Sequence, residues 1–110
     1  MPSDEIRQYK VSISPLELEK LRRWGKWAKD KGVLDEYLVA LKTINYRLSF
    51  EPMEWGEFRY PLEDLKLEVR FGSFSMLSVG YAIHNEQQVV FVKSFQFRSD
   101  YPPGRPPDEP

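Results

Sequence analysis

Hydrophobic and polar positions along the chain change period several times, and each change marks a predicted element. Residues 9–13, Tyr-Lys-Val-Ser-Ile, alternate as a strand with one buried face does. Ser14-Pro15-Leu16-Glu17 then reads as a helix start. The serine hydroxyl can accept from the first turn, proline fits where no N–H is needed, and the glutamate can reach back as in a capping box. Leu18, Leu21, Trp24, Gly25 and Ala28 recur at helical spacing, and Gly32 is placed to end the helix. A second helix is predicted from Leu34 to Leu48, with Leu34, Leu38, Leu41, Ile44, Asn45 and Leu48 as its inward stripe and Pro52 as its limit. The short link at Gly32 predicts an antiparallel hairpin.

After a connection at 51–64 carrying Pro52, Gly56 and Pro61, the period falls to two. Leu65, Leu67, Val69 and Phe71 alternate with Lys66, Glu68 and Arg70, predicting a strand over 65–71. Gly72-Ser73 reads as a tight turn. The strand over 76–83 follows, with Ser78, Gly80, Ala82 and then His84 forming a conspicuously small set on one side. Asn85-Glu86-Gln87 is the next turn, and the strand over 89–97 has Val90 and Val92, as if both of its faces were partly covered. The expectation is an α+β domain over residues 1–101: a strand, a helical hairpin and a three-stranded antiparallel meander. Residues 102–110, with five prolines, are expected to be a flexible tail.

Composition narrows this little further. A chain of 110 residues with 41% hydrophobic content can enclose one ordinary core. Cysteine is absent, which excludes disulfides and thiolate metal sites and suits a reducing cytoplasm. No apolar run approaches a membrane span. Sixteen Lys and Arg against seventeen acids give a net charge of -1, so any nucleic-acid binding has to use a local basic patch. His84, the only histidine, reads as a turn residue, and no His/Cys/Asp/Glu set has metal-ligand spacing, so no metal or other cofactor is expected.

Two stretches carry a family resemblance. Glu51-Pro52-Met53-Glu54-Trp55-Gly56-Glu57-Phe58-Arg59-Tyr60-Pro61-Leu62, followed by Leu67-Glu68-Val69-Arg70-Phe71-Gly72-Ser73-Phe74, resembles the RelE/ParE toxin superfamily. Its members have a Pro- and Gly-bearing connection running into a strand that ends Val-Arg-Val-Gly-Asp-Tyr. Val89-Val90-Phe91-Val92 with Arg98 and Tyr101 is similar to the family's last strand and its Arg-containing end. The resemblance spans residues 9–101. It implies a bacterial cytoplasmic toxin paired with an antitoxin. RelE-like members cleave mRNA in the ribosome without metal, using basic side chains with a Tyr or a carboxylate; ParE-like members poison DNA gyrase.

Carried over, the resemblance makes Arg98, Tyr101, Arg70 and Lys66 the catalytic candidates. Cations would neutralise the phosphorane, and tyrosine would move a proton. At the next position the sequence departs from the family: Gly72-Ser73-Phe74-Ser75 puts serine where the family has arginine. Losing such a cation costs several kcal/mol in the transition state, so the implied endoribonuclease is one of reduced or altered activity.

The residues themselves suggest further contacts. Lys93 could join Lys66, Arg70 and Arg98 on one side of the sheet, and Lys20, Arg23 and Lys26 lie in the basic run of the first helix, which reads either as an RNA contact or as a solvated face. Phe71, Phe74, Phe95 and Phe97 exceed what one buried face needs. They point to an exposed apolar groove for an antitoxin, or to a homodimer interface. A non-catalytic interaction module and a gyrase inhibitor are the alternatives to the RNA-directed toxin.

Overall fold

The computed structural model describes residues 8–98. Tyr101 and the proline-rich stretch 102–110 lie outside the described residues. The chain runs β1 (Lys10–Ser12), α1 (Pro15–Asp30), α2 (Leu34–Phe50), α3 (Pro52–Trp55), β2 (Glu57–Leu62), a one-turn 3-10 helix (Glu63–Leu65), β3 (Leu67–Phe74), β4 (Leu77–His84) and β5 (Val89–Phe97). The fold is α+β: one five-stranded mixed sheet of order β1-β5-β4-β3-β2, with β1 parallel to β5 and the other pairs antiparallel.

The helical hairpin forms for the reasons its sequence announces. Ser14 Oγ accepts from the Glu17 N–H at 3.2 Å, and Gly32 adopts the left-handed φ of +77° that closes α1. α1 buries Trp24 and Ala28, whereas α2 buries Tyr37, Ala40, Ile44, Leu48 and Ser49. The predicted α2 stripe is therefore rotated, leaving Leu38 and Asn45 exposed. Tyr37 accounts for the rotation: it runs parallel to Phe97 and donates to the Leu21 carbonyl at 2.7 Å, tying the helices to each other and to the sheet.

The meander has four strands, not three. β2 occupies part of the segment expected to be a connection, and α3 occupies its start. The predicted turn at Gly72-Ser73 is also displaced. β3 continues through both residues to Phe74, and the hairpin turns at Ser75-Met76, where Ser75 takes φ +57°. Gly72 serves a packing role, because a Cβ there would lie 2.5 Å from the Trp55 ring. Trp55 in turn stacks on Tyr81, with centroids 6.0 Å apart. Tyr81 Oη donates to the Pro52 carbonyl at 2.8 Å and accepts from the Gly56 N–H at 3.0 Å. A single buried tyrosine thus fastens α3 to β4.

Burial raises the Tyr81 hydroxyl to about pKa 12 and raises Tyr37 in the same direction. A phenol whose pKa is higher in the fold than in the unfolded chain stabilises fully below the ordinary value of about 10, and that contribution is lost as pH climbs above it. The protein is expected to hold its fold up to about pH 10 and to lose stability between about pH 10 and 12. Circular dichroism and tyrosinate absorbance followed together will show the unfolding and the late-titrating phenols rising in one step.

Candidate functional site

The three described α-helices pack on one face of the sheet. Leu77, Val79, Tyr81 and Ile83 of β4 and Val90, Val92, Phe95 and Phe97 of β5 point toward them. The change of parity between Val92 and Phe95 comes from a β-bulge: Gly80 pairs with Ser94 and Tyr81 with Val92, leaving Lys93 as the extra residue. This overturns the expectation for Phe95 and Phe97. Phe95 and Phe97 are 3% and 2% exposed, Phe97 meeting Trp24 and Trp27 edge-on, and Phe74 packs against the same core. Phe95 and Phe97 build the interior, whereas Phe74 stays partly exposed beside Val39 and Ser75.

The cations expected to act together are also distributed. Arg70 lies opposite Tyr81 and so faces the helix side, where its guanidinium is bound to the Glu68 carboxylate and the Gly56 carbonyl. It braces α3 against β3. Lys66 is not in a strand; it ends the 3-10 turn with φ +57° and pairs loosely with Glu86 at 3.8 Å. Arg98 donates from its backbone to the Met76 carbonyl and from Nη1 to the Ser75 carbonyl at 3.1 Å, securing the β3–β4 turn. Lys20, expected to contact RNA, is a strut: its Nζ reaches the Phe95 carbonyl at 2.9 Å and Glu17 at 3.1 Å, while Glu17 accepts from the Phe95 N–H at 2.9 Å. Together they satisfy both backbone groups of Phe95 where β1 has ended. Arg23 and Lys26 stay exposed on α1, on the helix side of the sheet.

The opposite face has no described element over it, and it is organised in transverse rows. Tyr60, Val69, Ala82 and Phe91 lie in register across β2, β3, β4 and β5, and Glu57, Phe71, Gly80 and Ser94 form the next row. Gly80 and Ala82 make a low floor, so the neighbouring aromatics stand above it as rims. A second bulge, at Arg59 between Phe58 and Tyr60, sends that guanidinium over the Phe71 ring at 5.1 Å from its centroid. Lys93, from the β5 bulge, reaches across β4 and β3 to the Tyr60 hydroxyl at 3.4 Å and lies 5.9 Å from the ring centroid. Two bulges therefore deliver two cations to two aromatics on one sheet face. Phe91 stands beside them, 42% exposed.

Among the described residues of the predicted sites Lys93 belongs to this face, as does Phe71, one of the aromatics expected to form an exposed apolar surface; Arg59, Tyr60 and Phe91 join it unforeseen. The small run Ser78, Gly80, Ala82 is the signal that could have located this face, since a strand with small side chains on one side leaves room above it. Chemically the face offers flat apolar rings beside positive charge, with Glu57 paired to Arg59 at 3.2 Å and Ser73 and Ser78 hydrogen-bonded to each other at 2.7 Å toward one end. Planar anionic ligands fit that description. Among the described residues no group of His, Cys, Asp and Glu is gathered to hold a metal ion, and no helix is long and apolar enough to cross a membrane. Comparisons of the chain with protein-family models, with curated proteins and with solved structures find no match.

Proposed function

We propose that this chain is a RelE/ParE-like protein of a bacterial toxin–antitoxin pair, acting in the cytoplasm, that binds single-stranded RNA on the open face of its sheet. The observation that carries the reading is the double cation–aromatic arrangement, Lys93 with Tyr60 and Arg59 with Phe71, on that one face. Exposed rings accept bases of any sequence, and cations beside them take the phosphates between. The strand–helix–helix–meander order and the resemblance at 51–74 and 89–101 support the family assignment.

Binding is favoured over efficient cutting. Arg70 is engaged by Glu68 and the Gly56 carbonyl on the far side of the sheet, and Lys66 sits in a turn. Neither belongs to the face that would hold the scissile phosphate. The protein then acts by occupying RNA, with cleavage slow or absent.

Fluorescence anisotropy with a labelled single-stranded oligoribonucleotide tests this. Saturable binding is expected at low salt. With Lys93 and Arg59 as the two phosphate-neutralising cations, the phosphate displacing Glu57 from Arg59, affinity is expected to fall about sevenfold between about 50 and 200 mM salt. An unchanged anisotropy at a protein concentration on the order of 100 μM, an affinity too weak for such an interface, contradicts the reading.

A further inference from the structure

β2 is an edge strand whose six residues are all exposed. Its apolar side chains appear on both faces: Phe58 lies opposite Arg70 on the helix side, while Tyr60 lies opposite Val69 on the open face. Among the described residues nothing pairs with its outer edge. Edge strands left in this condition offer a row of unpaired backbone groups to another strand.

The charges on β2 identify which strand fits. Glu57 and Arg59 lie on the same side and form an exposed ion pair at 3.2 Å, with Phe58 between them. In an antiparallel pairing of β2 with β2 of a second copy, centred on Phe58, Glu57 of each copy stands opposite Arg59 of the other. Phe58 then stands opposite its own equivalent. The segment is self-complementary in charge in that register, and both ion pairs are exchanged, not lost. The Arg59 bulge and Pro61, which has no N–H to donate, confine the new ladder to the start of the strand and prevent open-ended stacking.

We propose that two copies of this chain associate edge to edge through β2 in this register, making one continuous ten-stranded sheet. The union rests on the edge of β2 and not on the RNA reading, though Arg59 takes part in both and the pairing would bring the two open faces side by side.

Sedimentation of the full chain at concentrations on the order of 10–100 μM, the range suited to a short ladder, is expected to show a monomer–dimer equilibrium. Arg59→Glu places like charges opposite each other twice and is expected to weaken association at least about tenfold. The double exchange Glu57→Arg with Arg59→Glu restores the complement and is expected to restore the dimer. The chain has no cysteine, so Phe58→Cys gives a clean register probe. Directly opposed strand residues have Cα atoms about 4.5–5.5 Å apart, within disulfide range, and mild oxidation is expected to cross-link the copies. A chain that stays monomeric, a dimer indifferent to Arg59→Glu, or one that the double exchange fails to restore overturns the proposal, as does a Phe58→Cys dimer that does not cross-link. All these positions are exposed, and unchanged circular dichroism confirms that each variant is folded.

Discussion

Gly72→Val is expected to destabilise the domain by on the order of 3–5 kcal/mol, because two costs fall together. A side chain at Gly72 meets the Trp55 ring at 2.5 Å. The indole is itself stacked on Tyr81 and packed against the core. Expelling it lifts α3, and the Tyr81 hydroxyl then loses both the Pro52 carbonyl and the Gly56 N–H, leaving a buried polar group unsatisfied. Against the roughly 5–15 kcal/mol that hold a typical domain together, such a change lowers the melting temperature by roughly 20 °C. A thermodynamic cycle checks the cause. In a Trp55→Ala background the valine has nothing to strike, and Gly72→Val is expected to cost less than about 1 kcal/mol. An equal cost in both backgrounds would show that strand propensity, not the indole, is responsible.

The second large effect is on RNA affinity. Lys93→Glu combined with Arg59→Glu replaces both cations of the open face with anions, and affinity for a single-stranded oligoribonucleotide is expected to fall by more than about a hundredfold at low salt. Both side chains are exposed at bulges and neither is part of the core, so stability is expected to change by less than about 1 kcal/mol. Lys26→Glu on α1 makes an equal change of net charge per residue on the helix side of the sheet and serves as the control. If it weakens binding as much as Lys93→Glu does, the helix carries the RNA. Arg59→Glu alone also bears on β2 pairing, so the affinity comparison rests on Lys93→Glu measured at a protein concentration where the chain is monomeric.

Much of the fold could be read in the sequence because its signals are local. The Ser14-Pro15-Glu17 start, the Gly32 stop and the alternation through 89–97 each depend on neighbours within a turn or on strand parity. Ser14 does cap α1, and only the role of Glu17 differs, since it turns to the Phe95 N–H and not back to its own helix. Gly72 misled for a physical reason: glycine before serine signals a turn by composition, whereas here it is the space required by a tryptophan seventeen positions earlier. No local pattern reports that contact.

The site was less legible than the fold, and the two bulges explain why. Without knowledge of the extra residue at Lys93, counting by twos along β5 sets Phe95 and Phe97 on the face away from Val90 and Val92, and they read as an exposed surface. With the bulge they join the core, while Lys93 is released to the open face. The same irregularity at Arg59 turns part of an expected connection into a rim of the open face. Arg70 follows strand parity faithfully, yet the polar side of its strand is the one that faces α3, so its charge is absorbed by Glu68 and a backbone carbonyl.

The central claim is that RNA lies on the open face of the sheet. Amide chemical-shift mapping during titration with a single-stranded oligoribonucleotide tests it most directly. The largest changes are expected at Tyr60, Phe71, Ala82, Phe91 and Lys93, with Trp24 and Lys26 of α1 unmoved. Changes concentrated along α1, or none on the sheet at saturating RNA, would contradict it.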